Sequence, residues 1–257
     1  MWNAIFWGTL AASATMLGSI LALKISMPKR VIGYIMALGT GALIGATTYE
    51  LLEDSLEISG FKEVAIGFLG GALLFTILDY LISHKGGGHE RKGSDRADNH
   101  TVSDHTQSSS ENVGKTSGMG IFIGTVMDTL PESAMIGLSL VGGGSVSLAL
   151  VVSVFISNIP EGLSSTVGLR ESGFSKKKII VMWGFVVFFS ALSSLAGATL
   201  LEKASDSIKA IVSCFAAGAI IAMIASTMMP EAYKEGGPTV GFVTSIGVFI
   251  ALWLHHL

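Results

Sequence analysis

Apolar runs of eighteen or more residues recur from one end of this chain to the other, and no other feature restricts its fold so severely. A bilayer core offers no water to unpaired amides, so a crossing segment must satisfy its own backbone, as a helix of about 20 apolar residues does. Half of the 257 residues are hydrophobic and only 14% are charged. The mean hydropathy is +0.63, well above that of a core wrapped in a polar shell. The pattern predicts an all-α integral membrane protein of eight transmembrane helices. They fall at about 2–23, 31–52, 62–83, 117–141, 146–169, 177–201, 208–229 and 238–256. At ~1.5 Å per residue each is long enough for a hydrocarbon core of about 30 Å. Met1-Trp2-Asn3 is not basic and no cleavage site follows the first run, which therefore reads as a span and not a signal peptide. Cys214, the single cysteine, can form no disulfide within the chain and reads as a small packed hydrophobe.

The connections are short except at 84–115, a stretch rich in Gly, Ser, Asp and His that cannot bury a core and should be flexible. With the N-terminus outside, the inner loops hold 13 of the 16 Lys and Arg residues and the outer loops only Lys62, Lys203 and Lys209. This asymmetry predicts both termini outside and the 84–115 loop in the cytoplasm. An internal repeat is also visible. Gly41-Ala42-Leu43-Ile44-Gly45 matches Gly218-Ala219-Ile220-Ile221-Ala222 at an offset of 177, which also pairs Asp54 with Glu231, Gly60 with Gly237 and Gly70 with Gly247. With a small shift, Leu17-Gly18-Ser19 pairs with Ala196-Gly197-Ala198. Chance likeness between apolar helices is the competing explanation. A repeat of three spans places its second copy upside down, an arrangement that recurs in secondary transporters. The expected organisation is one transmembrane domain in a 3+2+3 arrangement. It comprises repeat one at 1–83, the loop at 84–115, central helices at 116–170 and an inverted repeat two at 176–257.

The two central segments carry Asp128-Thr129-Leu130-Pro131-Glu132-Ser133 and Ser157-Asn158-Ile159-Pro160-Glu161-Gly162 at mid-length. Asp128, Glu132 and Glu161 would thus lie near the bilayer centre, at roughly 2.5–3.5 kcal/mol for each carboxylate. No Lys or Arg stands mid-span to compensate, which leaves a divalent cation or protons. Asp128 and Glu132 are one turn apart and share a helix face, as do Ser157 and Glu161, with Asn158 bordering the second pair. Pro131 and Pro160 each remove a backbone donor and free the carbonyls of Met127 and Ile156. Two opposed faces of this kind would form an oxygen-rich cage. A single mid-helix proline is often only a kink; matched Pro-Glu pairs on neighbouring spans favour a site.

Pro131-Glu132-Ser133 and Asn158-Ile159-Pro160-Glu161-Gly162 resemble the fourth- and fifth-span motifs of the Zrt/Irt-like protein (ZIP) family of divalent metal transporters, nearest its bacterial GufA-like branch. The family pattern is His-Asn-x-Pro-Glu-Gly in both spans. The likeness covers the whole chain and implies a metal path lined by these helices, with Glu132 and Glu161 as principal ligands. It departs from the pattern at Asp128 and Ser157, where the family has His, at Thr129, where it has Asn, and at Ser194, in the place of a sixth-span Glu. The expected metal set is Asp128, Thr129, Glu132, Ser157, Asn158, Glu161, Ser194 and Glu231. Without imidazole the donors are hard oxygens, which suit manganese and magnesium better than the zinc, copper, iron and nickel that imidazole favours. The expected result is a shift away from strict zinc preference, or one tight metal in place of two.

Other features rank lower. Glu50, Glu53, Asp54 and Glu57 either gather cations at an entrance or form an ordinary solvated helix end. Glu231 and Glu235, with Asp79 nearby, are candidates for an exit. His84, His89, His100 and His105 fit no closed tetrahedral site, and His255 and His256 carry no argument. A membrane metal hydrolase would need a base and usually a His-Glu-x-x-His pattern; no span holds a mid-length histidine, so no enzyme is expected. The expected function is transport of divalent metal ions (zinc, manganese, iron, cadmium or cobalt) into the cytoplasm across a bacterial plasma membrane. A non-transporting metal sensor using the same site is the alternative. Metal ions are the cargo and the lipid bilayer the surroundings; no organic cofactor and no nucleic acid are expected, and a homodimer stays open.

Overall fold

The computed structural model describes residues 2–25, 27–84, 122–126, 129–141 and 146–256. The expectations for Met127, Asp128 and the 85–115 part of the loop lie outside these residues. Every described residue is in a helix, a turn or a short connection, with no strand among them. In chain order the helices are α1 (Trp2–Lys24), α2 (Lys29–Ser59), α3 (Phe61–His84), α4 (the helical residues 122–126 and 129–138), α5 (Leu148–Glu171), α6 (Lys176–Leu200), α7 (Asp206–Gly236) and α8 (Val240–His255). Six of them, α1, α2, α3, α5, α6 and α7, are long and apolar enough to cross a membrane. Helix α8 is apolar but only 16 residues long.

Local chemistry fixes the ends. Ser147, Ser175 and Ser205 precede α5, α6 and α7, and each hydroxyl accepts from the amide three residues on, at 3.0, 3.3 and 3.4 Å. This satisfies one of the donors that every helix start leaves open. Helix α5 stops at Gly173, whose φ of 83° lets the Gly173 and Phe174 amides turn back to the Arg170 and Leu169 carbonyls.

Helices α5 and α2 are central and α3 and α6 peripheral: 67% of the apolar window of α5 is buried, against 22% for α3. Helix α5 packs on α1 and α2, while α1 also packs on α6. Apolar side chains along α3 (Leu69, Leu73, Ile77) and α6 (Phe185, Phe188, Leu192) are exposed, forming apolar flanks. Small residues permit close crossings at the centre. A Cβ on Gly162 of α5 would strike the Thr15 carbonyl of α1, and one on Gly39 of α2 would strike the Ser157 backbone.

The 177-residue offset reappears in geometry. Helices α2 and α7 are both 31 residues long. Each passes through a π-helical stretch, Thr47–Glu53 and Ile224–Met228, whose first residues are 177 apart. Each ends before a glycine of positive φ, Gly60 at 101° and Gly237 at 76°, again 177 apart. Packing follows the same rule: α3 lies on α7 and α8 on α2. A Cβ on Gly218 would meet the Phe68 carbonyl of α3, and one on the matching Gly41 would meet the Thr244 carbonyl of α8. The structure extends the second and seventh segments beyond the expected ends at 52 and 229, because the helix continues through the π turn instead of stopping.

Candidate metal centre

Helix α5 runs unbroken through Pro160, so Glu161 sits inside a continuous helix and not at a free end. It is 1% exposed, and Glu132 on α4 is 0% exposed. The two helices are joined by the short connection before Ser147 at one end. At the other, the Thr125 and Ser165 hydroxyls are 2.8 Å apart. The helices are therefore antiparallel, and stepping a turn along each from that bond sets Thr129 at the depth of Glu161 and Glu132 at that of Asn158. Their far end is fixed by Trp183 of α6, which donates from Nε1 to Thr166 Oγ1 at 3.0 Å and meets the Phe122 ring edge-on.

The surrounding hydroxyls have their protons committed to backbone carbonyls. Thr129 donates to Thr125 O at 2.7 Å, Ser157 to Val154 O at 3.0 Å and Ser133 to Thr129 O at 2.9 Å. A hydroxyl has one proton and two lone pairs, so each oxygen keeps acceptor capacity for a cation. Asn158 makes only a 3.5 Å approach from Nδ2 to the Ala11 carbonyl, and its buried Oδ1 has no hydrogen-bond partner among the described residues. Leaving such an acceptor unsatisfied costs roughly 1–3 kcal/mol, which a bound cation would recover.

Two further expected members are tied to neighbouring helices. Ser194 is fully buried, but its hydroxyl donates to the Ala4 carbonyl of α1 at 2.7 Å, at the crossing with Gly8. Glu231 on α7 accepts from Ser164 Oγ at 2.5 Å, one turn beyond Glu161 on α5. No group of three or more His, Cys, Asp or Glu residues comes together among the described residues. The described carboxylates of the two central motifs are therefore Glu132 and Glu161, with Asp128 outside the described region.

At the opposite end from Glu231, a cavity of about 500 Å³ is lined by Glu50, Asp54 and Glu57 of α2, Met135 and Ser139 of α4, Leu150 of α5 and Lys209 of α7, among others. Met135 stands one turn from Glu132, so the cavity reaches toward the buried carboxylates. At its rim His255 Nδ1 and Glu50 Oε1 are 2.8 Å apart, and the Tyr49 ring stacks on the imidazole at 5.6 Å. Sequence reasoning missed His255 and Ser164. A histidine in the last turn of a span, on the side bearing an acidic cluster, was the available signal for the first. A serine in an apolar helix offers none.

No family model matches the chain. Over 233 residues, 89% of its length, it is 24% identical to an Arabidopsis thaliana protein named "putative zinc transporter". The chain spans about a third of that protein's length (34%).

Proposed function

We propose that the chain carries divalent metal ions across a membrane through a site centred on Glu132 and Glu161. The observation that carries this reading is the pair of fully buried carboxylates beside prolines in apolar helices, with no basic residue in mid-span. Carboxylates so placed need a cation or protons, and the neighbouring Thr129, Ser157 and Asn158 oxygens keep lone pairs for a metal. Similarity to a transporter-named protein supports the same class of function, and the central motifs resemble those of the ZIP family. On this reading the chain has eight spans arranged 3+2+3, the Asp54 end faces outside and the Glu231 end faces the cytoplasm. The repeated π turns and terminal glycines support the inverted halves, and the distribution of Lys and Arg supports the orientation. Ions would gather in the outer cavity, exchange part of their water shell for the buried oxygens, and leave past Glu231. No catalytic step is assigned.

Asp128, Glu132, Thr129, Ser157, Asn158 and Glu161 make an all-oxygen donor set, which favours manganese over zinc relative to a site with imidazole. Competitive uptake of manganese, iron, zinc, cobalt and cadmium into proteoliposomes tests both parts. Glu161→Ala is expected to abolish uptake of all five, and Asp128→His to move preference toward zinc. Normal uptake by Glu161→Ala removes the site assignment. Metal binding without flux by the wild type would make the protein a sensor.

A further inference from the structure

Two offsets relate the halves of the molecule. Pro131-Glu132 of α4 and Pro160-Glu161 of α5 are 29 apart, while α2 and α7 repeat at 177. Applied together to the contact between Ser164 and Glu231, they give Met135 and Asp54. Those two residues line the cavity at the other end of the molecule. Equivalent places at opposite ends are thus in different states. At one, a serine hydroxyl donates to a carboxylate at 2.5 Å and ties α5 to α7. At the other, a thioether and a carboxylate border open space. Methionine has no proton to donate, so the second end cannot make the matching bond.

We infer that Ser164 is a positioning residue that holds the Glu231 end shut, and that the Ser164–Met135 difference biases the molecule toward the conformation open at Asp54. The inference rests on the transporter reading, with its two inverted halves. A hydrogen bond to a carboxylate is strong enough to shift a two-state equilibrium by about tenfold. A ligand-free carrier would then wait with its site open to the side from which ions arrive. Breaking the Ser164–Glu231 hydrogen bond is then part of the step that lets the ion pass on.

The test uses thiol accessibility and so does not depend on transport. In the full chain carrying Cys214→Ala, a single cysteine replaces either Ser139, in the cavity, or Gly168, its equivalent at offset 29. Labelling by a membrane-impermeant maleimide is timed without metal from the face each probe adjoins. A tenfold bias removed from an otherwise balanced equilibrium slows Ser139→Cys labelling about twofold and speeds Gly168→Cys labelling about fivefold. Ser164→Ala is expected to give both changes, and Ser164→Thr, which keeps the hydroxyl, to reverse them. Met135→Ser supplies the missing donor at the open end and is expected to shift both probes in the same direction as Ser164→Ala. Unchanged rates in Ser164→Ala, failure of Ser164→Thr to restore them, or no response to Met135→Ser would each overturn the latch. Wild-type metal flux, measured separately, decides the transporter reading: its absence with an intact labelling contrast leaves the latch standing and the transport assignment refuted.

Discussion

Asn158 separates the demands of folding from those of binding at a single side chain. Its Oδ1 is buried without a hydrogen-bond partner among the described residues, and its amide makes only a long approach to Ala11. A structural asparagine at a helix crossing would be expected to satisfy both ends. Replacement by leucine, of similar volume, removes an unsatisfied polar group worth roughly 1–3 kcal/mol. Asn158→Leu is therefore expected to melt at the wild-type temperature or above it while binding metal more weakly by about tenfold. Thermal unfolding in detergent alongside metal titration checks this; unweakened binding would remove Asn158 from the donor set. The residue scale also shows what a sequence withholds. That Glu132 and Glu161 lie in apolar helices was legible, because composition alone places them there. The direction of a hydroxyl was not: the Ser194 hydroxyl donates to the Ala4 carbonyl, on a helix 190 residues away. Ser164 was silent for the same reason, since only the fold brings Glu231 to it.

The π stretches dominate at the scale of the element. Thr47–Glu53 contains neither proline nor glycine, so no residue in it announces the wider turn. The apolar run alone predicts an end near 52. The helix instead continues to Ser59, and Glu50, Leu51 and Asp54 all line the cavity. Thr48 donates to the Ile44 carbonyl at 2.8 Å, engaging an acceptor at the start of the stretch. A π bulge amounts to an inserted residue, so deleting one residue from Thr47–Glu53 should restore an α-helix and leave the downstream turn facing as it does now. With Tyr49 deleted, Asp54 and Glu57 would keep their places on the cavity wall, and Glu132 and Glu161 theirs. The expected result is an apparent KM and a maximal rate for uptake both close to those of the wild type. A fall in maximal rate at constant KM would mean that the stretch serves the motion of the helix instead.

For the molecule as a whole, the sequence disclosed the all-helical class of fold and the 177-residue spacing of its glycines, because hydrophobicity and glycine positions are written locally. How the helices interlock was not written there: α3 lies on α7 and α8 on α2, so elements far apart in the sequence complete one another. Such pairings depend on backbone approaches such as those at Gly41 and Gly218, which pattern matching finds but cannot assign to a partner. The short α8 has a consequence at this scale. Its 16 residues reach only ~24 Å, about 6 Å less than an average hydrocarbon core, and it is held on α2, a helix of 31 residues. A steeper tilt cannot shorten the deficit, so if α8 faces lipid at this length the bilayer beside it thins, at a cost of fractions of a kcal/mol per Å. Acyl-chain length thereby becomes a variable of the protein's own energetics. Reconstituted in short-chain phosphatidylcholine, it should be more heat-resistant than in a long-chain bilayer, and four residues added to α8 should erase the difference. Melting temperatures equal in both lipids would show that α8 is sheltered from lipid. If the difference holds, hydrophobic mismatch along one flank will sort this molecule toward the thinner patches of its membrane.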